Sequence, residues 1–245
     1  MRHIIFAILL SLITAIPAFA ADSGAELNLK DDQIFLVKNN GSTPLDQNMF
    51  PAQPIDGTDM RFLGVGPDDA AEQGIAAGLY IFKGNGRPVA FASTDEAEFC
   101  ADVRFSPNKK ILAMDAGTSH VRNWVFFSYP QMELLGDVTY YQTPDNPELV
   151  WVGEDGVLFS NMNESGHGRS CGYDPCGPVS VSYYMFETQK SSRLLSGTDL
   201  CDYTLTGLDE TGLVATAAEL CLPSAKAWEE FPEGKPVKAV TAKLP

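Results

Sequence analysis

The chain has 245 residues, with 17 Lys and Arg against 32 Asp and Glu, and a formal net charge of −15. So acidic a surface repels nucleic acid and anionic lipid, whose phosphates are met by basic side chains, and it favours a cationic partner or a bound cation. The length suits one domain, or at most two, with a core that does not depend on staples.

Residues 1–20, "MRHIIFAILLSLITAIPAFA", join a basic start (Arg2) to an apolar run over 4–16 and end on Ala18-Phe19-Ala20. Small residues at the first and last places of that triplet suit signal peptidase, so the segment reads as a secretory signal peptide and not as a fold element. The mature chain is expected to start at Ala21, in a bacterial periplasm or outside the cell, as a single all-β domain over 21–245. Removal of Arg2 takes its charge from −15 to −16. No cysteine follows the cleavage point, so no lipid anchor is expected. No later apolar run reaches the roughly 20 residues of a membrane-spanning helix, so no membrane insertion is expected.

Beyond the signal, short β-branched and aromatic runs alternate with Gly, Pro, Asn and Asp clusters, an all-β pattern. One kind of hairpin recurs at Gly78, Asn123, Val181 and Lys226: "GLYIFKGNGRPVAFAS", "NWVFFSYPQMELLGDV", "VSYYMFETQKSSRLLS" and "KAWEEFPEGKPVKAV". A second kind lies between them: "DVRFSPNKKILAMDA", "LVWVGEDGVLFSNM" and "YTLTGLDETGLVATAA", with turns at Pro107-Asn108, Glu154-Asp155-Gly156 and Asp209-Glu210. A fainter first copy joins "QIFLVKNN" to "MRFLGV" across a Pro-rich insert. Pairing the two kinds gives units of about 45 residues, and so a β-propeller-like array of about four four-stranded antiparallel blades. An antiparallel β-sandwich is the alternative, since it shows similar strands and turns.

The stretch "VRFSPNKKILAMD" resembles the inner hairpin of a TolB-like or WD-repeat-like blade, F-S-P-[DN]-G-K-x-[IL]-A. Phe105, Ser106, Pro107, Asn108, Lys110, Leu112 and Ala113 match it, and Lys109 stands in the place of its glycine. The resemblance covers only this hairpin and implies a fold, not an activity.

In such blades the blade-to-blade link and the link from second to third strand emerge at one end. That end collects His120, His167 and all the cysteines: Cys100, Cys171, Cys176, Cys201 and Cys221. Its links are acidic, with Asp95, Glu96 and Glu98, then Asp145 and Glu148, then Asp199 and Asp202. Converging oxygens from Asp95, Glu98, Asp145, Asp199 and Asp202 would suit Ca²⁺. None of the links has the spaced pattern of a dedicated calcium loop, and solvated loops are the plainer account.

The stretch "GHGRSCGYDPCGPVS" admits four readings. A redox pair lacks the two-residue spacing and the helix. Zinc on His167, Cys171 and Cys176 lacks a fourth ligand. Gly168-Arg169-Ser170-Cys171-Gly172 spells G-x-S-x-G without the strand-to-helix turn that makes an elbow. A local Cys171–Cys176 bridge across Gly172-Tyr173-Asp174-Pro175 fits best. Cys201 and Cys221 bracket a hairpin and are expected to pair, leaving Cys100 as a free thiol; the rival is a bridge from Cys100 to Cys171 or Cys176. The functional expectation is a secreted binding or scaffold module for a protein or small molecule. His120, His167, Tyr173 and Asp174 are the candidates on its contact face. The alternatives are a hydrolase using His120 or His167 with the acidic loops, and a cation-stabilised structural protein. No cofactor other than Ca²⁺ is expected.

Overall fold

A strand buried on both faces reads as a continuous apolar run, and one buried on a single face alternates. Both kinds occur here, and they divide the chain into interior and terminal sheets. The computed structural model describes residues 25–39, 41–117, 121–141, 149–162, 177–223 and 238–245; the signal segment lies outside them.

Five antiparallel sheets follow one another along the chain. Sheet I holds β1 (Ala25–Lys30), β2 (Gln33–Lys38) and β3 (Gly41–Pro44). Sheet II holds β4 (Gln53–Pro54), β5 (Met60–Val65), β6 (Gly78–Lys83) and β7 (Ala90–Ala92). Sheet III holds β8 (Cys100–Phe105), β9 (Ile111–Ala116), β10 (Val121–Ser128) and β11 (Leu134–Tyr141). Sheet IV holds β12 (Val150–Val152), β13 (Gly156–Met162), β14 (Val179–Met185) and β15 (Lys190–Leu195). Sheet V holds β16 (Cys201–Leu208), β17 (Val214–Cys221) and β18 (Lys238–Lys243). One short helix, α1 (Pro67–Gln73), joins β5 to β6.

The blade-like array expected from the repeats is therefore present, with two differences. There are five sheets, because β2 ("QIFLVK") and β5 ("MRFLGV") do not share one. Instead β2 pairs with β1 ("AELNLK") through a turn in which Asp31 (φ 49°) and Asp32 (φ 65°) are both left-handed. That backbone is the type I′ hairpin turn, usually marked by Asn-Gly or Asp-Gly and here built from two aspartates. The Pro-rich insert then supplies β3 and β4. The second difference is in sheet V, where β18 pairs directly with β17, Glu219 opposite Lys238 and Val214 opposite Lys243. The expected strand "KAWEEF" lies outside the described residues. The blade-like motif closes the β8–β9 turn as expected: Ser106 Oγ accepts from Ile111 N at 3.1 Å. Lys109, at the motif's glycine position, takes φ 60°, so it bears a strain that glycine would not.

Sheets pack face to face in chain order. Leu27, Leu29, Ile34 and Leu36 of sheet I meet Leu63, Val65, Tyr80 and Phe82 of sheet II. The other face of sheet II, with Phe62, Leu79 and Ile81, meets Val103, Leu112, Met114 and Val125 of sheet III. Trp124, Phe126, Val138 and Tyr140 meet Val157, Phe159 and Tyr184 of sheet IV. Leu158, Val181 and Tyr183 meet Leu205, Ala215 and Ala217 of sheet V. Adjacent residues of one strand thus serve different interfaces, as Leu112 and Ala113 do, and β9 is buried at every position. In sheet I, β1 alternates instead. Among the described residues no buried apolar cluster joins sheet I to sheet V.

The turns β1–β2, β4–β5, β8–β9, β10–β11 and β12–β13 share one end of the array. There Asn108 N donates to Glu154 Oε1 at 2.7 Å. Tyr129 reaches Met60, and Asp31 N donates to Asn85 at 3.0 Å. Connections 66–77, 93–99 and 196–200 leave from the other end.

The seam between sheets III and IV is built on aromatic rings. Phe126 is fully buried, stacks on Tyr184 at 5.6 Å and meets Phe186 edge-on at 5.1 Å. Phe126→Ala is expected to cost about 3–5 kcal/mol of unfolding free energy. Urea denaturation checks this; a loss below about 1 kcal/mol would contradict so tight a seam.

Candidate functional site

Among the described residues, connections 66–77, 93–99 and 196–200 lie at the far end from those turns. They hold Asp68, Asp69, Glu72, Asp95, Glu96, Glu98 and Asp199 and no lysine or arginine, while Lys38, at the end of β2, stands beside Gly74. Asp95–Phe99 form a 3-10 turn whose start is capped by Thr94, its Oγ1 accepting from Glu96 N at 3.2 Å. This turn lies on the end of sheet II because Gly64 has no side chain: a Cβ there would run into the Ala97 carbonyl. Burial, and then the charge of Asp137, raise the pKa of Glu96.

Of the residues proposed for Ca²⁺, Asp95 and Glu98 stand on the 3-10 turn and Asp199 stands before β16. Asp202 is on β16 and accepts from Val179 N at 2.8 Å, tying sheet V to sheet IV. Among the described residues no three His, Cys, Asp or Glu side chains are grouped as a metal site. His120, Asp145, His167, Cys171, Tyr173, Asp174 and Cys176 lie outside the described residues, and with them the zinc, elbow, redox-pair and local-bridge readings.

Cys201 stands directly opposite Cys221 in the β16–β17 ladder, and the two are bonded, with Cα atoms 4.1 Å apart. Cys100 is a free thiol. It opens β8 just as Cys201 opens β16, and the backbone confirms the equivalence. Gly117 N donates to Phe99 O at 3.2 Å, and Leu222 N donates to Leu200 O at 2.8 Å. The residue opposite Cys100 is Ala116, so this thiol has no sulfur to meet. Burial pushes the Cys100 pKa well up, and the Asp115 and Asp102 carboxylates push it further.

The sequence reading overlooked a charged cluster on sheet III. Asp115 and Arg122 are paired at 2.8 Å with side chains only 5% and 12% exposed. The Tyr140 hydroxyl donates to the same Asp115 oxygen at 3.1 Å. Burial opposes the Arg122 cation, but the hydrogen bond and charge of Asp115 outweigh it, so the guanidinium pKa is raised. Arg122 Nη2 is buried without an acceptor. Nearby, Arg104 Nε bonds Asp102 Oδ2 at 2.6 Å, and its guanidinium lies 5.2 Å from the centre of the Trp124 ring. Register places Asp115 on the face of Ala113, towards sheet IV, where Ser182 donates to Asn161 at 2.8 Å. The III–IV interface therefore turns from aromatic to polar as it nears the acidic end. Asp115 was legible as the lone acid in "ILAMDA", a strand otherwise apolar. The Asp115 charge is matched by Arg122 and by the Tyr140 hydroxyl, so the cluster ties β9, β10 and β11 together.

The folded class is an all-β, propeller-like array of blade-sized sheets. No protein-family model matches the sequence, and no curated protein matches it. Solved structures with a similar course are a prolyl endopeptidase (12% identity, TM-score 0.41, over 92% of this chain and 30% of that one), Kuenenia stuttgartiensis hydrazine synthase (12%, 0.40, 82% and 62%) and TolB from Acinetobacter baumannii (11%, 0.36, 90% and 50%). The chain thus spans less than two thirds of the length of each.

Two outcomes follow from this geometry. Ala116→Cys is expected to form a second cross-strand bond with Cys100, which a non-reducing peptide map will join; two free thiols at these positions would contradict the equivalence of sheets III and V. Asp115→Asn and Arg122→Met are each expected to cost about 3–5 kcal/mol, because each strands a buried charge or donor. The double variant should lose less than the sum. Strictly additive losses in urea denaturation would show the pair to be uncoupled.

Proposed function

We propose that this chain is an extracytoplasmic binding or scaffold module that meets its partner through the end carrying connections 66–77, 93–99 and 196–200. The observation that supports this most is the excess of acid there, seven carboxylates on three connections against Lys38 beside Gly74 and Lys238 paired with Glu219. The opposite end mixes Arg87, Lys109 and Lys110 with its acids. An unbalanced field of one sign steers an oppositely charged partner and fixes its orientation. The rigid sheet ends beneath, pinned by the Cys201–Cys221 bond and the Asp202–Val179 hydrogen bond, lower the ordering cost of binding. The bond also suits an oxidising compartment, where disulfides persist, as does the signal-like start of the sequence.

The test is a photo-reactive side chain placed in the native protein at Asp95 or Asp199, and, in separate variants, at Lys109 or Glu210. Adducts are expected from the first two positions and not from the last two. Adducts confined to Lys109 and Glu210 would overturn the assignment of the contact end. Sequencing of the native N-terminus is expected to read from Ala21, and Met1 would overturn the extracytoplasmic placement.

A further inference from the structure

The connection from β6 to β7, residues 84–89, carries Asn85-Gly86 at the surface. Asn85 is exposed, and a Cβ built on Gly86 would meet nothing within 4 Å. An asparagine followed by glycine is labile in water. The glycine nitrogen attacks the asparagine Cγ, its proton passes to solvent and ammonia leaves, so that a cyclic imide closes. Water then adds to one of the two ring carbonyls and opens the ring to aspartate or to isoaspartate. In this fold both reacting groups are held. Gly86 N donates to Leu29 O at 2.8 Å, and Leu29 N donates to Gly86 O at 2.8 Å, an antiparallel bridge between the connection and β1. Asn85 Oδ1 accepts from Asp31 N at 3.0 Å, in the β1–β2 turn. The ring cannot close until Gly86 N leaves Leu29 O and the carboxamide turns from Asp31. Arg87 adds a third tie, 2.7 Å from Glu26 Oε2 on β1.

All three ties run to sheet I, which among the described residues packs through one face only. An outer element of this kind opens locally at a lower free energy than the whole fold. We propose that Asn85 is a deamidation site gated by sheet I: it stays asparagine while β1 and its turn hold the 84–89 connection, and becomes aspartate or isoaspartate when they let go. Either product adds a carboxylate beside the Asp31-Asp32 turn. Isoaspartate also routes the main chain through the former side chain, so the carbonyl that met Asp31 becomes main chain and the bridge to Leu29 loses its spacing. A transient opening of sheet I is thereby recorded in the covalent chain. The site stands apart from the proposed contact surface, because 84–89 lies at the end of the array shared with the β1–β2 turn.

The experiment incubates the mature protein at mildly alkaline pH, below its melting temperature, and follows Asn85 by peptide mass mapping. A synthetic peptide of residues 80–90 is the ungated reference. The native protein is expected to convert at least about tenfold more slowly than the peptide, and the urea-unfolded protein at the rate of the peptide in the same urea. Leu27→Ala, which leaves a hole between sheets I and II, is expected to speed conversion in the folded protein by at least about tenfold. Leu158→Ala, the same truncation between sheets IV and V, is expected to leave the rate unchanged. Hydrogen exchange of the unaltered protein tests the gate without either variant: below the unfolding transition, conversion should rise with urea in step with exchange of the Leu29 and Gly86 amides. Native conversion at the peptide's rate would overturn the gate, as would conversion that ignores those amides. Equal acceleration by the two variants would assign opening to global unfolding and overturn the role of sheet I. No conversion in the unfolded protein would overturn the site itself.

Discussion

Burial of successive sheets against one another governs the rest of the molecule. Each interior sheet has to cover both of its faces, so its central strands are buried along almost their whole length: β9 at every position, and β13 and β14 nearly so. A strand of that kind cannot be told from a buried helix by periodicity, and only its turns and β-branched content betray it. The same constraint places function. With both faces of a sheet spent on neighbours, the chemistry left to the chain lies at the strand ends and in the connections.

Sheets III and IV were legible in the sequence because each is two hairpins closed by strong turn residues, and their expected strands are β8–β11 and β12–β15. Sheet I was not. Its hairpin turns on Asp31-Asp32, a pair with none of the glycine that usually marks a left-handed turn, and its third strand is exposed at every position. The site was legible only in part. Acidic links can be read as residues in a row, and the topology that gathers them follows from antiparallel alternation. The Asp115–Arg122–Tyr140 cluster needs the exact register of β9, β10 and β11, which no local pattern supplies.

The cysteines show how one repeated position takes two fates. Cys100 and Cys201 stand at equivalent strand openings, and the residue across the ladder decides between them, Ala116 in one sheet and Cys221 in the other. The bond is placed in the terminal sheet V, which among the described residues has one covered face, and the thiol in interior sheet III, which has two. A cross-link limits the disorder available to the unfolded chain, and that limit matters most where packing holds a sheet from one side only. In sheet III the packing already confines Cys100, and the burial that confines it also suppresses its thiolate.

The outer sheets face a further demand, because an array built by stacking must end without presenting an apolar wall. Sheet V meets it with threonine. On the face opposite Ala215 and Ala217, Thr216 stands beside Thr241 and its hydroxyl is 3.0 Å from that of Thr206. A β-branched side chain keeps the strand preference of valine while its hydroxyl is satisfied by a neighbour or by water. Sheet I uses Glu26, Asn28, Lys30 and Gln33 on its uncovered face. Both outer faces are therefore mostly polar by residue choice along the strand, with Phe35 and Val37 half-buried on that of sheet I, and the large apolar groups left exposed among the described residues (Met49, Phe99, Leu134, Leu200 and Leu213) lie on connections or at a strand opening.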